Sequence, residues 1–287
     1  ELMGWARAPN SNWNKPEIAE RLKNIGETTL ADNFTYTRYL DGKGVVITGR
    51  NRLRQTKTSL VQLDDEDDAI SSLGVRIPLN AHLDRVAGRV DSSLQSLPGE
   101  RFRTAIVAAA RLHDWGKLDE RFQALLIRGD RNAALALRTP LAKSDGLPLS
   151  AEERKLARQR SEIPDGFRHE MLSVQLAETE VGRQQLPDES ALTELALHLI
   201  ASHHGFARPF APVVFDETPP PIDSIELEDC TTPHLKQAER RDRPPHRLDS
   251  GIAERYHRLT RRHGWWGLAW LEAVLRLADQ QVSSEEA

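Results

Sequence analysis

Apolar residues recur at helical spacing along most of the chain after Pro78, and this periodicity limits the fold more than any other feature. It starts in a segment that Asn80 can cap, where the apolar positions are Leu83, Val86, Ala87, Val90, Leu94 and Leu97. Intervals of three and four residues place these side chains on one face of an α-helix, and asparagine is a favoured N-cap. The segment therefore predicts an amphipathic helix with a buried face.

Five later segments carry the same signal or a strongly apolar version of it. They are "ERFRTAIVAAARLHD" (100–114), "DERFQALLI" (119–127), "FRHEMLSVQLAE" (167–178), "SALTELALHLIASHH" (190–204) and "WWGLAWLEAVLRLADQQVS" (265–283). The fourth has an inward stripe of Leu192, Leu195, Ala196, Leu199 and Ile200. The last is apolar around most of its circumference, which predicts a central position. Together the segments predict an all-α fold, a helical bundle.

The first 75 residues differ from this pattern and are predicted to be an extension or a linker from a partner or helicase region. Residues 33–50 hold β-branched and aromatic residues on both sides of Asp41-Gly42, which indicates a possible β-hairpin. The acidic run at 64–68 is interpreted as a linker. The helical domain is then assigned to 76–287, with an exposed excursion at 138–166 and a proline-rich loop or insertion at 207–250.

Composition narrows the class of protein. The chain is 39% hydrophobic and 29% charged, with no apolar run of membrane-helix length and no signal-peptide pattern. The single cysteine, Cys230, excludes an intramolecular disulfide and a multi-cysteine zinc site, and it fits a cytoplasmic location. The net charge of −4 does not indicate nucleic-acid binding, but nine Lys and Arg lie between 235 and 262. This basic run is either a solvated face or a phosphate-binding surface.

Histidines and carboxylates stand at the ends or on the inward faces of separate predicted helices. These residues are His82, His113, Asp114, His169, His203, His204 and Asp279. Any one of them is more often a satisfied core or surface residue than a ligand. Asp279, however, follows Leu271 and Leu275 on one stripe, and a buried carboxylate is costly unless it is paired or bound to a cation. Imidazole and carboxylate together suit first-row transition metals, so the joint pattern indicates a metal centre.

The order of these residues carries a family resemblance. His82, "HDWGK" (113–117), "RHE" (168–170), "HHG" (203–205) and "AD" (278–279) occur in this order. The series resembles the HD phosphohydrolase superfamily and, more narrowly, the HD nuclease domain of the type I CRISPR interference nuclease-helicase. The serines that follow the third and fifth motifs, Ser173 and Ser283, extend the match, which covers about residues 78–284.

The resemblance implies a centre of two divalent transition-metal ions (Fe, Mn, Ni, Co or Zn) bridged by Asp114. His82, His113, Asp114 and Asp279 would hold one ion, and Asp114, His169, His203 and His204 the other. Adjacent residues on a helix point about 100° apart, which favours different roles for His113 and Asp114. Lys117 is assigned either to a substrate phosphate or to orienting Asp114, and Arg168 to phosphate. Ser173 and Ser283 are expected to donate hydrogen bonds behind the ligands.

The expected function is metal-dependent cleavage of single-stranded DNA in CRISPR interference, an antiviral defence, by two-metal hydrolysis with a metal-activated water. The expected partners are a helicase domain or subunit and the CRISPR surveillance complex, with no membrane. The chain contains no GxxxxGK[ST] loop and hence no recognisable ATPase motor. Because it begins at Glu1 rather than Met and Asp279 lies just before its C-terminus, we expect an HD domain that follows a helicase in a longer protein. Two alternatives stay open: an HD phosphohydrolase acting on nucleotides or cyclic dinucleotides, and a non-catalytic module that binds a helicase or nucleic acid. Endonuclease or exonuclease preference and an RNA substrate also stay open.

Overall fold

A computed structural model describes residues 34–39, 44–49, 76–96, 99–143, 149–226 and 231–286. The chain divides into two compact units, residues 1–63 and 64–287. Among the described residues, no helix has both the length and the apolar character needed to cross a membrane.

The first unit contains the predicted hairpin. Strands β1 (Phe34–Tyr39) and β2 (Gly44–Gly49) pair antiparallel, from Phe34 opposite Gly49 to Tyr39 opposite Gly44. The predicted Asp41-Gly42 turn and the acidic run at 64–68 lie outside the described residues.

The second unit is helical, which confirms the predicted fold class. Its α-helices are α1 (Leu79–Leu94), α2 (Arg103–Leu112), α3 (Glu120–Leu126), α4 (Arg131–Leu135), α5 (Ala151–Ser161), α6 (His169–Ala177), α7 (Glu180–Arg183), α8 (Ser190–Ser202), α9 (Gln237–Asp242) and α10 (Ile252–Glu285). Short 3₁₀-helices lie at Glu100–Phe102, Trp115–Leu118 and Leu248–Ser250. Strands β3 (Ile77–Pro78) and β4 (Leu141–Lys143) add a small antiparallel sheet.

The core lies where α1, α2, α8 and α10 pack on one another, with α6 against α8 and the 3₁₀-helix Trp115–Leu118. The apolar stripes predicted from the sequence supply it: Val86 and Val90 of α1 and Leu195 and Ile200 of α8 are fully enclosed. Each stripe covers one side of its helix, so the charged sides stay in solvent and the helix ends approach one another.

Two local predictions were wrong. Helix α1 begins at Leu79 with Pro78 at the cap, so Asn80 lies inside the first turn and is not its N-cap. The segment 138–166 is not wholly an exposed excursion, because β4 is buried and pairs with β3. The charged part of that segment does form an exposed helix, α5, which starts at a capping box between Ser150 and Glu153.

The proline-rich segment 207–250 is mostly irregular and is tied to the domain by an ion-pair network. Arg240 of α9 donates to Asp119 Oδ2 at 2.8 Å, and Arg121 donates to the same carboxylate and to Asp216. Asp119 and Arg240 are buried, so this contact fixes the insertion against the start of α3.

The basic run at 235–262 does not form one phosphate-binding surface. Arg240 and Arg255 are buried in ion pairs with Asp119 and Glu178. The pairs Arg241–Asp242, Arg247–Asp249 and Arg258–Glu194 lie at the surface. Five of the nine basic residues are therefore already paired with acids.

Helix α10 contains a corner. Gly264 has φ 72° and ψ 167°, outside the helical region. It divides α10 into a first segment, residues 252–263, and a second segment, residues 265–285. His198 of α8 contacts Tyr256 of the first segment and Glu272 of the second. A straight helix would place those two residues about 24 Å apart, so the shared contact shows that the segments fold toward each other at Gly264.

Candidate metal centre

The seven residues predicted to bind metal come together because helix ends meet in the core. His113 is the C-cap of α2, and Asp114 follows it as the cap of the 3₁₀-helix Trp115–Leu118. His169 is the first residue of α6, and His203 is the C-cap of α8. Three further residues complete the set: His82 lies in α1, His204 directly follows the cap of α8, and Asp279 lies in α10. Two groups result, His82–His113–Asp279 and Asp114–His169–His203–His204, each with potential ligand atoms within 4.8 Å of one another.

The first group is built around one oxygen of Asp279. Its Oδ1 lies 3.2 Å from His82 Nε2 and 3.9 Å from His113 Nε2. The pKa of Asp279 is lowered: burial would raise it, but the hydrogen bond from His82 outweighs burial. The carboxylate is therefore ionised and faces two imidazole nitrogens, which is a donor set suited to a transition metal.

The second group gathers three imidazoles on the other side of Asp114. His169 Nε2 lies 3.0 Å from Asp114 Oδ1, and His203 Nε2 lies 3.8 Å from the same oxygen. His204 Nε2 lies 3.1 Å from His169 Nε2. Three imidazole nitrogen atoms thus point into one small space beside a carboxylate oxygen.

Asp114 is a member of the second group and also approaches the first, through its other oxygen. Its Oδ1 faces His169 and His203, whereas its Oδ2 lies 3.6 Å from both His82 Nε2 and His113 Nε2. One carboxylate therefore presents one oxygen to each group. This is the geometry that a bridging carboxylate requires.

Two histidines are held with an unused nitrogen pointing into the centre. His113 Nδ1 and His203 Nδ1 lie 2.8 Å from the carbonyl oxygens of Ala110 and Ile200, so each Nδ1 carries the proton and donates it. The Nε2 atoms of both rings are buried and have no hydrogen-bond partner among the described residues. Burial lowers the pKa of both rings, and the neighbouring histidines lower that of His203 further. A neutral imidazole whose Nε2 lone pair is not used in a hydrogen bond is suited to bind a metal ion.

Lys117 lies against the bridging carboxylate. Its Nζ is 2.7 Å from Asp114 Oδ2 and donates to the carbonyl oxygen of Ala142 at 3.3 Å. Burial would raise the pKa of Asp114, but the charge of Lys117 and the hydrogen bond from His169 hold it well below its usual range. The buried ammonium therefore keeps Asp114 ionised and oriented, which supports the second of the two roles predicted for Lys117.

The sequence reasoning missed a carboxylate behind His82. Glu286 Oε2 accepts from His82 Nδ1 at 3.0 Å and lies 3.0 Å from Lys143 Nζ, and Arg85 donates to its Oε1 at 3.3 Å. A carboxylate on the outer nitrogen orients a histidine ligand and raises its basicity. Glu286 follows Asp279 by seven residues, or two helical turns, and this spacing is a sequence signal that could have identified it.

Ser173 joins two ligand-bearing elements. Its Oγ accepts from the Gly116 N–H at 2.8 Å and donates to the carbonyl oxygen of His169 at 3.0 Å. A Cβ atom at Gly116 would lie 1.9 Å from that carbonyl oxygen, so only glycine permits this approach. Ser283 Oγ donates to Asp279 Oδ1 at 3.4 Å. Both serines thus donate hydrogen bonds to candidate ligand residues.

Two arginines lie beside residues of the second group. Arg168 caps α6 and stacks over Phe206, with its guanidinium carbon 3.9 Å from the ring centroid. Arg276 is exposed on α10, and a Cβ atom at Gly205 would lie 3.6 Å from its Nη1. Arg276 therefore lies next to the residue that follows His204. No motif singled it out, because an arginine on a helix surface is common.

Comparison with known proteins gives one finding. The family model described as Cas3, HD domain, matches residues 75–213, which include six of the seven predicted ligands but not Asp279. No curated protein and no solved structure matches the chain.

Proposed function

We propose that this chain is a metal-dependent nuclease of the Cas3 HD type that cleaves single-stranded DNA in CRISPR interference, because the family model for the Cas3 HD domain matches residues 75–213. The family implies the broader class, a metal-dependent hydrolase of phosphate esters, and the helical fold agrees with it. The catalytic domain in this proposal covers residues 76–287, and residues 1–75 connect it to a partner or helicase region.

One observation carries the proposal: the two oxygens of Asp114 face two separate clusters of imidazole ligands. Oδ2 faces the His82–His113–Asp279 cluster, and Oδ1 faces the cluster of His169, His203 and His204. Two adjacent sites that share one carboxylate are the arrangement used for in-line attack at phosphorus. Imidazole-rich ligation favours iron, manganese, nickel, cobalt or zinc over magnesium and calcium.

When bound, two such ions supply the Lewis acidity that lowers the pKa of an attacking water and stabilises the attacking and leaving oxygens. The protein holds the candidate ligands in the required orientations and protonation states. Lys117 holds Asp114 ionised at the shared position, and the carbonyl oxygens of Ala110 and Ile200 fix the tautomers of His113 and His203. Arg168 directly precedes His169 and Arg276 lies beside Gly205, and we assign both guanidiniums to binding a phosphodiester oxygen.

The proposed partners follow from the family. A helicase domain or subunit would deliver single-stranded DNA, and a CRISPR surveillance complex would recruit the pair to its target, in the cytoplasm. A polymeric substrate requires contacts beyond the reacting phosphate, whereas a nucleotide or cyclic-dinucleotide phosphohydrolase requires only a pocket for one small ligand. Substrate length therefore separates the leading proposal from its alternative.

The test is cleavage by the full chain, purified metal-free and loaded in turn with manganese, iron, nickel, cobalt or zinc. End-labelled single-stranded DNA, matched RNA, duplex DNA, deoxynucleoside triphosphates and a cyclic dinucleotide are offered as substrates. We expect single-stranded DNA to be cut in a metal-dependent manner, Asp114→Asn to lose this activity, and the exposed Asp165→Asn control to keep it. Turnover of the small substrates alone would overturn the proposal, and so would unchanged cleavage by Asp114→Asn.

A further inference from the structure

The corner of α10 at Gly264 exposes an unusual set of side chains. Trp265 and Trp266 follow the corner and are 68% and 90% exposed. Arg261 and Arg262 precede it and are also exposed. In the described part of the chain, neither of these two guanidiniums has an ion-pair partner, in contrast to Arg258 one turn earlier, which pairs with Glu194. We call Arg261, Arg262, Trp265 and Trp266 the Gly264 corner.

A second basic and aromatic element faces the corner. Arg101 stacks over Phe102 at 4.5 Å, and Phe102 packs edge-on against His263 with ring centroids 5.2 Å apart. These residues and Arg262 line an open cavity of about 590 Å³, together with Trp270. Arg101 and Arg262 thus line the same cavity as His263. The acid on the cavity wall, Glu100, is already paired with Arg103.

This composition matches one class of ligand. Large exposed apolar side chains in a contiguous patch indicate a binding surface rather than a solvated one. Exposed aromatic rings offer stacking faces to nucleobases, and arginines beside them neutralise phosphates without reading sequence. A purely apolar partner would leave the arginines desolvated and unpaired. The charge of the corner therefore favours a polyanion that carries aromatic groups.

The corner is continuous with the metal centre along one face of α10. Trp265 precedes Arg276 by eleven residues, about three helical turns, so the two share a face and lie about 16 Å apart. Asp279 follows Arg276 by one further turn. A strand seated on the corner can thus run past Arg276 to the groups that hold the metal.

We propose that the Gly264 corner, with Arg101, binds the single-stranded nucleic acid whose phosphodiester is cut at the metal centre. The bases stack on Trp265 and Trp266, and the backbone follows Arg261, Arg262 and Arg276. This inference rests on the proposed function, since it supplies the polymer-binding surface that a nuclease acting on a single strand requires.

Binding is measured without metal, so that cleavage plays no part. The full chain is titrated into fluorescein-labelled oligo(dT) of 20 nucleotides in EDTA, with anisotropy and quenching of tryptophan fluorescence as readouts. We expect W265A/W266A to weaken binding about tenfold or more, because stacking on an aromatic side chain contributes about 1–3 kcal/mol per base. R261A/R262A should reduce the slope of log K against log salt by about 1.4, or about 0.7 per lost phosphate contact.

Two control variants address nonspecific effects: Leu248→Ala, which removes another exposed apolar side chain, and Arg247→Ala, which removes a paired exposed arginine. Both should bind as the wild type does, and circular dichroism should be the same for all variants. Unchanged affinity of W265A/W266A and an unchanged salt slope of R261A/R262A would overturn the inference and assign the corner to a protein partner. Failure of the wild type to bind oligo(dT) would overturn it as well.

A small substrate separates this inference from the proposed function. Bis(p-nitrophenyl) phosphate is too short to reach the corner from the metal centre. Corner variants that hydrolyse it normally with metal, but bind oligo(dT) weakly, support both proposals. A wild type that binds oligo(dT) through the corner but hydrolyses no phosphodiester with any metal would contradict the proposed function and leave the binding surface established.

Discussion

The imidazole of His82 is held between two carboxylates, with Nδ1 3.0 Å from Glu286 Oε2 and Nε2 3.2 Å from Asp279 Oδ1. Glu286 thus fixes the ring so that its other nitrogen faces the candidate metal position. Loss of such an outer partner typically weakens metal binding about 10-fold to 100-fold. We expect this loss in Glu286→Gln at the His82 site, measured by competition with a chromogenic chelator.

The matched control for that measurement is the adjacent residue. Glu285 pairs with Arg89 at the surface, so Glu285→Gln should leave metal affinity unchanged. Equal affinities for Glu286→Gln and the wild type, with both proteins folded, would exclude a positioning role for Glu286.

Lys117 supplies the positive charge next to Asp114 when metal is absent. Its replacement by methionine leaves a buried carboxylate without that ion pair, and breaking a buried pair typically destabilises by about 3–5 kcal/mol. We expect Lys117→Met to lose stability of this order in the metal-free protein and to regain much of it with metal, since the ions replace the lost charge. Urea unfolding with and without metal measures both effects, and the exposed Lys155→Met is the control. Equal losses in the two conditions would argue against a shared position for the ammonium and the metal.

Gly116 is required for the close approach of the 3₁₀-helix Trp115–Leu118 to α6. A Cβ atom there would lie 1.9 Å from the His169 carbonyl oxygen, so Gly116→Ala must displace one of the two ligand-bearing elements. We expect a marked loss of thermal stability and of metal affinity. Gly88→Ala is the opposite case, because nothing lies within 4 Å of that Cβ position on α1, and it should stabilise the helix by about 1 kcal/mol. Similar melting temperatures for the two variants would contradict the packing described for Gly116.

Asp119 makes folding sensitive to acid. Burial alone would raise its pKa, but hydrogen bonds and charge from Arg121 and Arg240 hold it below the usual range. Its stabilising contribution is therefore fully present above its unfolded-state pKa of about 4 and is lost as the pH falls through the depressed folded-state value. We expect Asp119→Asn to lose about 3 kcal/mol at pH 7 and progressively less as the pH falls below about 4. Urea unfolding at pH 7 and at a pH below about 4 measures the difference in free energy of unfolding between the variant and the wild type. The control is Asp130→Asn, which replaces an exposed helix cap. A difference that does not shrink in acid would rule out this titration.

Local sequence information was sufficient to predict the helices that bear the candidate ligands, namely α1, α2, α6, α8 and the second part of α10, and to nominate the seven candidate ligands. The period of three to four residues fixes which face of α1 and α8 is buried, and the ligands stand where those faces end. The two-group division was implied by the family resemblance, and the separate oxygens of Asp114 give it a geometric basis.

Contacts between distant parts of the chain could not be predicted in this way. Glu286 meets His82 across 204 residues, and Lys143 reaches Glu286 from a segment that the sequence predicted to be exposed. The apolar tract at 265–283 predicted a central helix, yet Gly264 turns its first two tryptophans into solvent. Helical periodicity predicts the buried face of each helix separately, whereas these features depend on how the helices pack against one another.

The central claim is that Asp114 bridges two metal sites. Metal content and affinity of the metal-loaded protein, measured by elemental analysis and titration, test it most directly. We expect two ions per chain in the wild type, one in Asp279→Asn, and weakened binding of both ions in Asp114→Asn. An Asp114→Asn protein that keeps one ion at wild-type affinity would contradict the bridging role.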